Sequence, residues 1–275
     1  MIKRTCAVVT TTALLAAALT AVSGPATADD AGDARAAQAV KRFTVTIASN
    51  TTELVSGKKL VIKGKVTPKR KAKRKVVVLQ KRMAPGKPWK VEAKKKTNRK
   101  GGYKFTDKPG SMKPREYRVV KPASGKLKKG TSPRISVTIY RWQDLTKLKV
   151  RQAMSTWRVP KTSINAVEYG PALNGNRYAA SGFIDYNLER QCLRVKARFG
   201  QSDDADATAV ASIDVIADGV SLFTGDFALT QSVPRTLPLN KAFRLGFHWT
   251  STNPEDPEDK GSVPTIAAPQ VLCSF

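Results

Sequence analysis

The sequence predicts an all-β protein built from two β-sandwich domains. Apolar residues alternate with polar ones in short runs, such as Phe43-Thr44-Val45-Thr46-Ile47 and the run from Phe243 to Trp249. Gly, Pro and Asn separate these runs at about ten-residue spacing, which is typical of sandwich strands. Helical periodicity is absent from the first half of the chain, and residues 148–156 are the only helical candidate in the second.

The first 28 residues have the pattern of an export signal. Lys3 and Arg4 precede a short apolar run at 6–22, and a small-residue A-x-A motif ends at Ala28. A membrane anchor, the alternative, needs a longer apolar run of about 20 residues. We therefore expect cleavage between Ala28 and Asp29. The product would be a secreted, extracellular protein, free or associated with a cell envelope, with no transmembrane segment in the mature chain.

Charge divides the rest of the chain sharply. The 275 residues include 49 Lys and Arg against 21 Asp and Glu, a net charge of +28. Residues 43–141 hold 30 basic and four acidic residues, whereas residues 142–275 hold 14 of each. This break predicts two domains, 43–141 and 142–275, after a disordered Ala-rich lead-in at 29–42.

Basic runs in the first domain form a candidate polyanion patch. A net charge of +26 on about 100 residues raises a potential of several kT. The alternative to a binding role is that the basic runs form a solvated face that keeps a secreted protein soluble. Aromatic residues are sparse between the cations, so the pattern does not indicate sequence-specific nucleic-acid binding. The patch, which we call the basic patch, consists of Lys69, Arg70, Lys71, Lys73, Arg74, Lys75, Lys94, Lys95 and Lys96. We expect the 69–75 run to form a hairpin loop, followed by a continuously buried strand at Val76-Val77-Val78-Leu79.

Two cysteines remain after removal of the leader, Cys192 and Cys273. An even number of cysteines in an oxidising compartment favours a disulfide, which here would tie the C-terminus to a central strand. Two separate buried thiols are the alternative.

The first domain contains the stretch Thr97-Asn98-Arg99-Lys100-Gly101-Gly102-Tyr103-Lys104-Phe105. This stretch resembles the T-D-x-x-G-x-Y-x-F hairpin of small bacterial immunoglobulin-like modules. The resemblance implies an immunoglobulin-like sandwich that serves as a spacer or an adhesion unit.

Two blocks of the second domain are Ile164-Asn165-Ala166-Val167-Glu168-Tyr169 and the run Val-Ile-Ala-Asp-Gly-Val-Ser-Leu-Phe at 215–223. They are similar to the opening I-N-G-x-x-Y block and the V-x-x-D-G-x-x-L-F block of the NPCBM family, the novel putative carbohydrate-binding modules. This resemblance implies a jelly-roll-like sandwich. Ile266 occupies the position of a Trp in the late loop of the family. An exposed aromatic plane would have to replace it, since sugars bind through their C–H faces. The candidate sugar-binding residues are Trp157, Tyr169, Tyr178, Asp203 and Asp204. Trp142 and Tyr186 are further aromatic residues that could replace the missing Trp. For each aromatic residue, a position in the core is the alternative.

Catalysis has little support in the sequence. One histidine, His248, stands on the polar face of a strand and is interpreted as a surface residue. Acidic residues cluster at 203–206 and 255–259, in loops that cannot hold a fixed carboxylate pair. Such oxygen-rich loops suit Ca²⁺, so calcium is the one cofactor that the sequence leaves open; solvated acidic loops are the alternative.

These features predict an exported, non-catalytic protein that binds extracellular glycans or anionic cell-envelope polymers. The second domain would contact sugar, and the basic domain would add electrostatic attraction. The alternative is a purely electrostatic polyanion-binding surface or spacer protein whose NPCBM-like fold has lost sugar binding.

Overall fold

The computed structural model describes residues 41–252 and 261–275, and nearly all of their regular structure is β-strand. This confirms the all-β prediction. The export signal, its cleavage site, most of the lead-in and the 255–259 acidic cluster lie outside the described residues. No described helix is long and apolar enough to cross a membrane.

The strands of the basic half alternate between buried and exposed positions. They are β1 (Thr44–Val45), β2 (Ala48–Ser49), β3 (Glu53–Val55), β4 (Leu60–Thr67), β5 (Val76–Arg82), β6 (Lys90–Lys96), β7 (Gly102–Asp107), β8 (Arg115–Lys121), β9 (Gly130–Thr131) and β10 (Ile135–Asp144), with a one-turn helix α1 (Lys69–Ala72) after β4.

Two sheets enclose the core of this half. In one, β4 pairs with β1, β2 and β7; in the other, the order is β10-β8-β5-β6. Leu60, Ile62, Leu79, Tyr117 and Ile139 are fully buried between them. Every second residue of β4 points inward, which is why a period-2 pattern identified the strand.

Two local predictions for this half are wrong. The 69–75 run is not a hairpin loop, because β4 and β5 belong to different sheets and α1 lies in the connection between them. The strand at 76–79 is not continuously buried. Val77 and Leu79 are inside, whereas Val76 is 41% exposed, because this strand has one face toward the core.

Strand β10 continues through the predicted domain boundary. Its first part, Ile135 to Val137, pairs with β8, and its last part, Arg141 to Asp144, pairs with β22 (Pro264–Cys273) of the second half. The division into domains 43–141 and 142–275 stays a prediction.

The second half begins with a 3₁₀ turn at Leu145–Lys147, and β-strands make up the rest of the regular structure in its described residues. They are β11 (Val150–Met154), β12 (Thr156–Val159), β13 (Thr162–Ile164), β14 (Val167–Tyr169), β15 (Ala172–Gly175), β16 (Ser181–Asn187), β17 (Cys192–Gln201), β18 (Val210–Ala217), β19 (Val220–Phe227), β20 (Ser232–Pro238), β21 (Arg244–Thr252) and β22. The helical candidate at 148–156 is therefore wrong, since β11 pairs with β16 there.

A second core fills the space between two sheets of this half. One sheet has the order β11-β16-β21-β18-β19, and the other contains β12, β15, β22, β17 and β20. Trp249, which ends the alternating run from Phe243, is 2% exposed, and its Nε1 donates to Thr156 Oγ1 at 2.9 Å. Gly175 leaves room for the indole, because a Cβ there would lie 2.7 Å from the ring.

The predicted disulfide between Cys192 and Cys273 is confirmed. The two residues face each other on β17 and β22, with 4.1 Å between their Cα atoms, and both are fully buried. The bridge fastens the last strand to the middle of its sheet.

Candidate functional site

The two runs of the basic patch, 69–75 and 94–96, lie side by side. Thr97 is buried between the two runs. Its Oγ1 accepts a hydrogen bond from the Lys75 N–H at 3.1 Å and donates one to the Ala72 carbonyl. The Thr97 N–H in turn donates to the Lys75 carbonyl at 3.0 Å. Runs that are separate in sequence therefore form one surface, and the nine side chains of the patch are exposed.

Further lysines extend the basic patch into a shallow groove of about 360 Å³. Lys65 and Lys104 line it together with Lys95 and Lys96 of the patch. Lys104 also lies directly opposite Lys63 on neighbouring strands, and like charges in that position destabilise a sheet. This is a local cost that an anionic ligand would remove.

No described carboxylate neutralises the basic patch. Crowding of the cations is also visible at Lys121, where burial and then the charge of Lys75 lower the pKa of the ammonium. The four carboxylates of residues 43–141 are engaged elsewhere: Glu53 with Lys241 at 2.6 Å, Glu92 with Lys81 at 2.5 Å, Glu116 with Arg82 at 2.5 Å, and Asp107 with the Tyr117 hydroxyl at 2.6 Å.

Two of the predicted sugar-binding aromatics are exposed at the same end of the β12–β15 ladder. Trp157 is 52% exposed and points outward because its neighbour Thr156 faces the core. Tyr178 is 80% exposed and follows Asn176, whose N–H donates to the Ser155 carbonyl at 2.9 Å. We call Trp157 and Tyr178 the aromatic pair; both are available to a ligand.

The other predicted aromatics have different surroundings. Tyr169 ends the β13–β14 hairpin and is half-buried, with the Arg198 guanidinium 5.2 Å from its ring centre. Trp142 lies on β10 under the Lys196 ammonium, 4.6 Å from the ring. Tyr186 is fully buried, and burial raises its pKa to about 12, so it belongs to the core.

The predicted carboxylates have structural partners. Asp203 accepts hydrogen bonds from the backbone N–H groups of Asn165 (2.6 Å) and Ala166 (2.9 Å), the two turn residues of the β13–β14 hairpin. Both turn residues have positive φ angles, so the carboxylate fixes a turn that non-glycine residues adopt reluctantly. Asp204 accepts from Ser202 Oγ at 3.3 Å.

Metal ligands are not gathered in the described residues, which contain no group of three His, Cys, Asp or Glu side chains able to hold an ion. Asp206 pairs with Arg177 at 2.5 Å instead. His248 is a half-exposed surface residue as predicted, 3.3 Å from an Asp185 oxygen.

A second groove, which the sequence analysis missed, lies on the outer face of β17, β20 and β22 and measures about 380 Å³. Lys196, Arg198 and Tyr169 contribute to it, together with a β-bulge at Ala268. We call it the bulge groove. Basic residues at every second position of β17 were visible in the sequence, but no local signal marks the bulge that opens the sheet beside them.

The fold and these surfaces define an all-β protein with a cationic end in one half and exposed aromatic side chains in the other. The chain belongs to the DUF7311 family, described as a domain of unknown function, whose family model matches residues 1–144. No curated protein matches the sequence.

Solved structures with partial similarity include carbohydrate-binding modules. The CBM51-2 and INT domains of Clostridium perfringens ZmpB overlap 60% of this chain and 38% of that one, at 10% identity and a TM-score of 0.38. CBM51 from C. perfringens GH95, in complex with methyl-galactose, overlaps 47% of this chain and 99% of its own, at 13% identity and a TM-score of 0.37. This chain thus spans about two fifths of the ZmpB structure, and its all-β fold is established by its own strand pairing.

Proposed function

We propose that the protein is an exported, non-catalytic protein that binds carbohydrate at a cell envelope or in extracellular polysaccharide. Sugar contact belongs to the second half, and the basic patch adds attraction to anionic polymers. In this proposal, the first half is the immunoglobulin-like sandwich and the second the NPCBM-like sandwich that their motifs resemble.

The aromatic pair carries the proposal. A Trp that is 52% exposed and a Tyr that is 80% exposed at one end of the same ladder offer two aromatic rings to a ligand from solvent. Aromatic rings with a polar edge suit sugars, because the ring packs on C–H groups while the edge and neighbouring amides bind hydroxyls. The disulfide fits a protein that works in an oxidising compartment.

The rival function is a purely electrostatic polyanion-binding surface or spacer. The single observation in its favour is the basic patch, whose nine cations face solvent without a carboxylate among the described residues. Both functions can coexist, since the patch and the aromatic pair lie on different halves.

Retention on insoluble polysaccharides tests the proposal. Trp157→Ala and Tyr178→Ala should each weaken retention on a neutral polysaccharide or on purified cell walls by at least about tenfold. The matched control is Phe243→Ala, which removes an exposed aromatic elsewhere in the same half and should leave retention unchanged. Equal retention of all three variants and the wild type would refute sugar contact by the aromatic pair.

A further inference from the structure

The bulge groove is lined by three cations, Lys196, Arg198 and Arg235, and by the aromatic ring of Tyr169. Lys196 and Arg198 are alternate residues of β17, so both point away from the core. Each cation lies over a ring, Lys196 over Trp142 at 4.6 Å and Arg198 over Tyr169 at 5.2 Å. These contacts hold the two positive charges in place before any ligand arrives.

A β-bulge opens the sheet between the two cations. Lys196 pairs with Gln270 and Arg198 with Ala267, so β22 advances three positions while β17 advances two and carries one extra residue at this point. The extra residue lies in the stretch that contains Ala268. Ala268 has φ = 48°, a left-handed conformation that costs a non-glycine residue about 1 kcal/mol or more. Bulges of this kind are frequent beside binding sites, where they redirect side chains.

The charges in the groove lack an acidic partner. Within the described part of the chain, no carboxylate lines the groove or pairs with Lys196 or Arg198. Arg198 donates one hydrogen bond, to Ser232 Oγ at 3.0 Å, and retains other N–H donors. Asp144 lies on the same face beyond Gln270, but its carboxylate accepts from the N–H of Thr146 at 2.9 Å and from its hydroxyl at 2.7 Å.

The remaining lining is suited to a sugar ring. Gln270 and Thr236 contribute polar side chains, and the half-buried Tyr169 ring lines the groove beside the Arg198 guanidinium. Arg235 also lines the groove, with its guanidinium 5.4 Å over the Phe223 ring. A volume of about 380 Å³ is within the range of small-ligand sites.

We propose that the bulge groove binds a carboxylated sugar, such as a hexuronate unit of an acidic polysaccharide. Arg198 and Lys196 receive the carboxylate, for which the planar guanidinium provides parallel N–H donors. Tyr169 packs on the C–H face of the ring. This inference deepens the proposed function by naming an acidic sugar as a second ligand, at a site separate from the aromatic pair.

Calorimetric titration of the full chain with trigalacturonate tests the proposal, in about 0.5 M salt to screen the exposed basic patch. Arg198→Gln and Lys196→Gln should each weaken binding at least about tenfold. Arg194→Gln is the matched control, because it removes the same charge from the same face of β17 outside the groove. Tyr169→Phe should bind like the wild type, and Tyr169→Ala should not.

Three outcomes would overturn the carboxylated-sugar site. The wild type and Arg198→Gln could bind trigalacturonate equally or not at all. The fully methyl-esterified trisaccharide could bind as tightly as the acid, which would make the site a neutral-sugar site. Inorganic phosphate could compete as well as the trisaccharide, which would make it a simple anion site. Trp157-dependent retention on neutral polysaccharide would survive each of these outcomes, so failure of this site is distinguishable from failure of the proposed function.

Discussion

Replacing Cys192 and Cys273 by alanine is expected to lower the free energy of unfolding by about 4–5 kcal/mol. The bridge joins residues separated by 81 positions, and the chain-entropy model gives about 4.5 kcal/mol for a loop of that length. A loss of that size corresponds to a fall in melting temperature of about 10–15 °C. Urea unfolding followed by circular dichroism measures the difference.

A reducing agent provides the matched control for the disulfide. Reduction should bring the wild type close to the stability of the double variant and leave the variant itself unchanged. If oxidised wild type and variant unfold within about 1 kcal/mol of each other, the disulfide does not hold β22 to β17 as described.

Neutralising the basic patch should have the largest effect on binding. Replacing Lys69, Lys71 and Lys73 by glutamine removes three exposed cations that face no described carboxylate. On a phosphate-bearing polyanion we expect affinity near 0.1 M salt to fall about a hundredfold, and the slope of log K against log salt to fall by about 2–3. Salt-gradient elution and titration at several salt concentrations measure both quantities.

The matched control replaces Lys58, Lys59 and Lys108 by glutamine. These residues are also exposed lysines of the basic half, but they lie near Leu60 and Asp107, at the opposite end of the β4–β7 ladder from α1. If the control reduces affinity as much as the patch variant, net charge governs binding and the patch has no special role.

The sequence predicted the strands well where burial alone decides the pattern. Leu60, Ile62 and Val66 of β4 are buried with exposed residues between them, as the alternation indicates. The even number of cysteines in the mature chain likewise predicted the disulfide between Cys192 and Cys273. Each of these features depends on a local pattern or on residue chemistry that is visible without the fold.

Long-range pairing was not predictable in the same way. The 69–75 run was expected to be a hairpin loop because its two flanking strands are consecutive, but those strands enter different sheets. Alternation does not reveal which strands pair. For the same reason, the convergence of both basic runs at Thr97 could not be foreseen.

The candidate sites show the same difference between what residue type predicts and what depends on the three-dimensional fold. Trp157 and Tyr178 are exposed, so they are available for the sugar contact that their residue types suggested. The Asp203 carboxylate, in contrast, accepts hydrogen bonds from the backbone N–H groups of Asn165 and Ala166. The basic residues of β17 and the candidate Tyr169 were visible in the sequence, but the bulge groove was not, since it requires Tyr169 of β14 to meet Arg198 of β17. Only the three-dimensional arrangement brings the last residue of the β13–β14 hairpin next to a basic strand.

The salt dependence of wild-type retention on purified cell walls tests the central claim most directly. Sugar contact through the aromatic pair depends little on ionic strength, whereas exposed cations are screened within about 3 Å in 1 M salt. We predict that the full chain stays bound as salt rises from about 0.1 M to 1 M, a range that would release a purely electrostatic complex. Complete release of the wild type by salt would contradict carbohydrate binding and leave the electrostatic surface as the function of the protein.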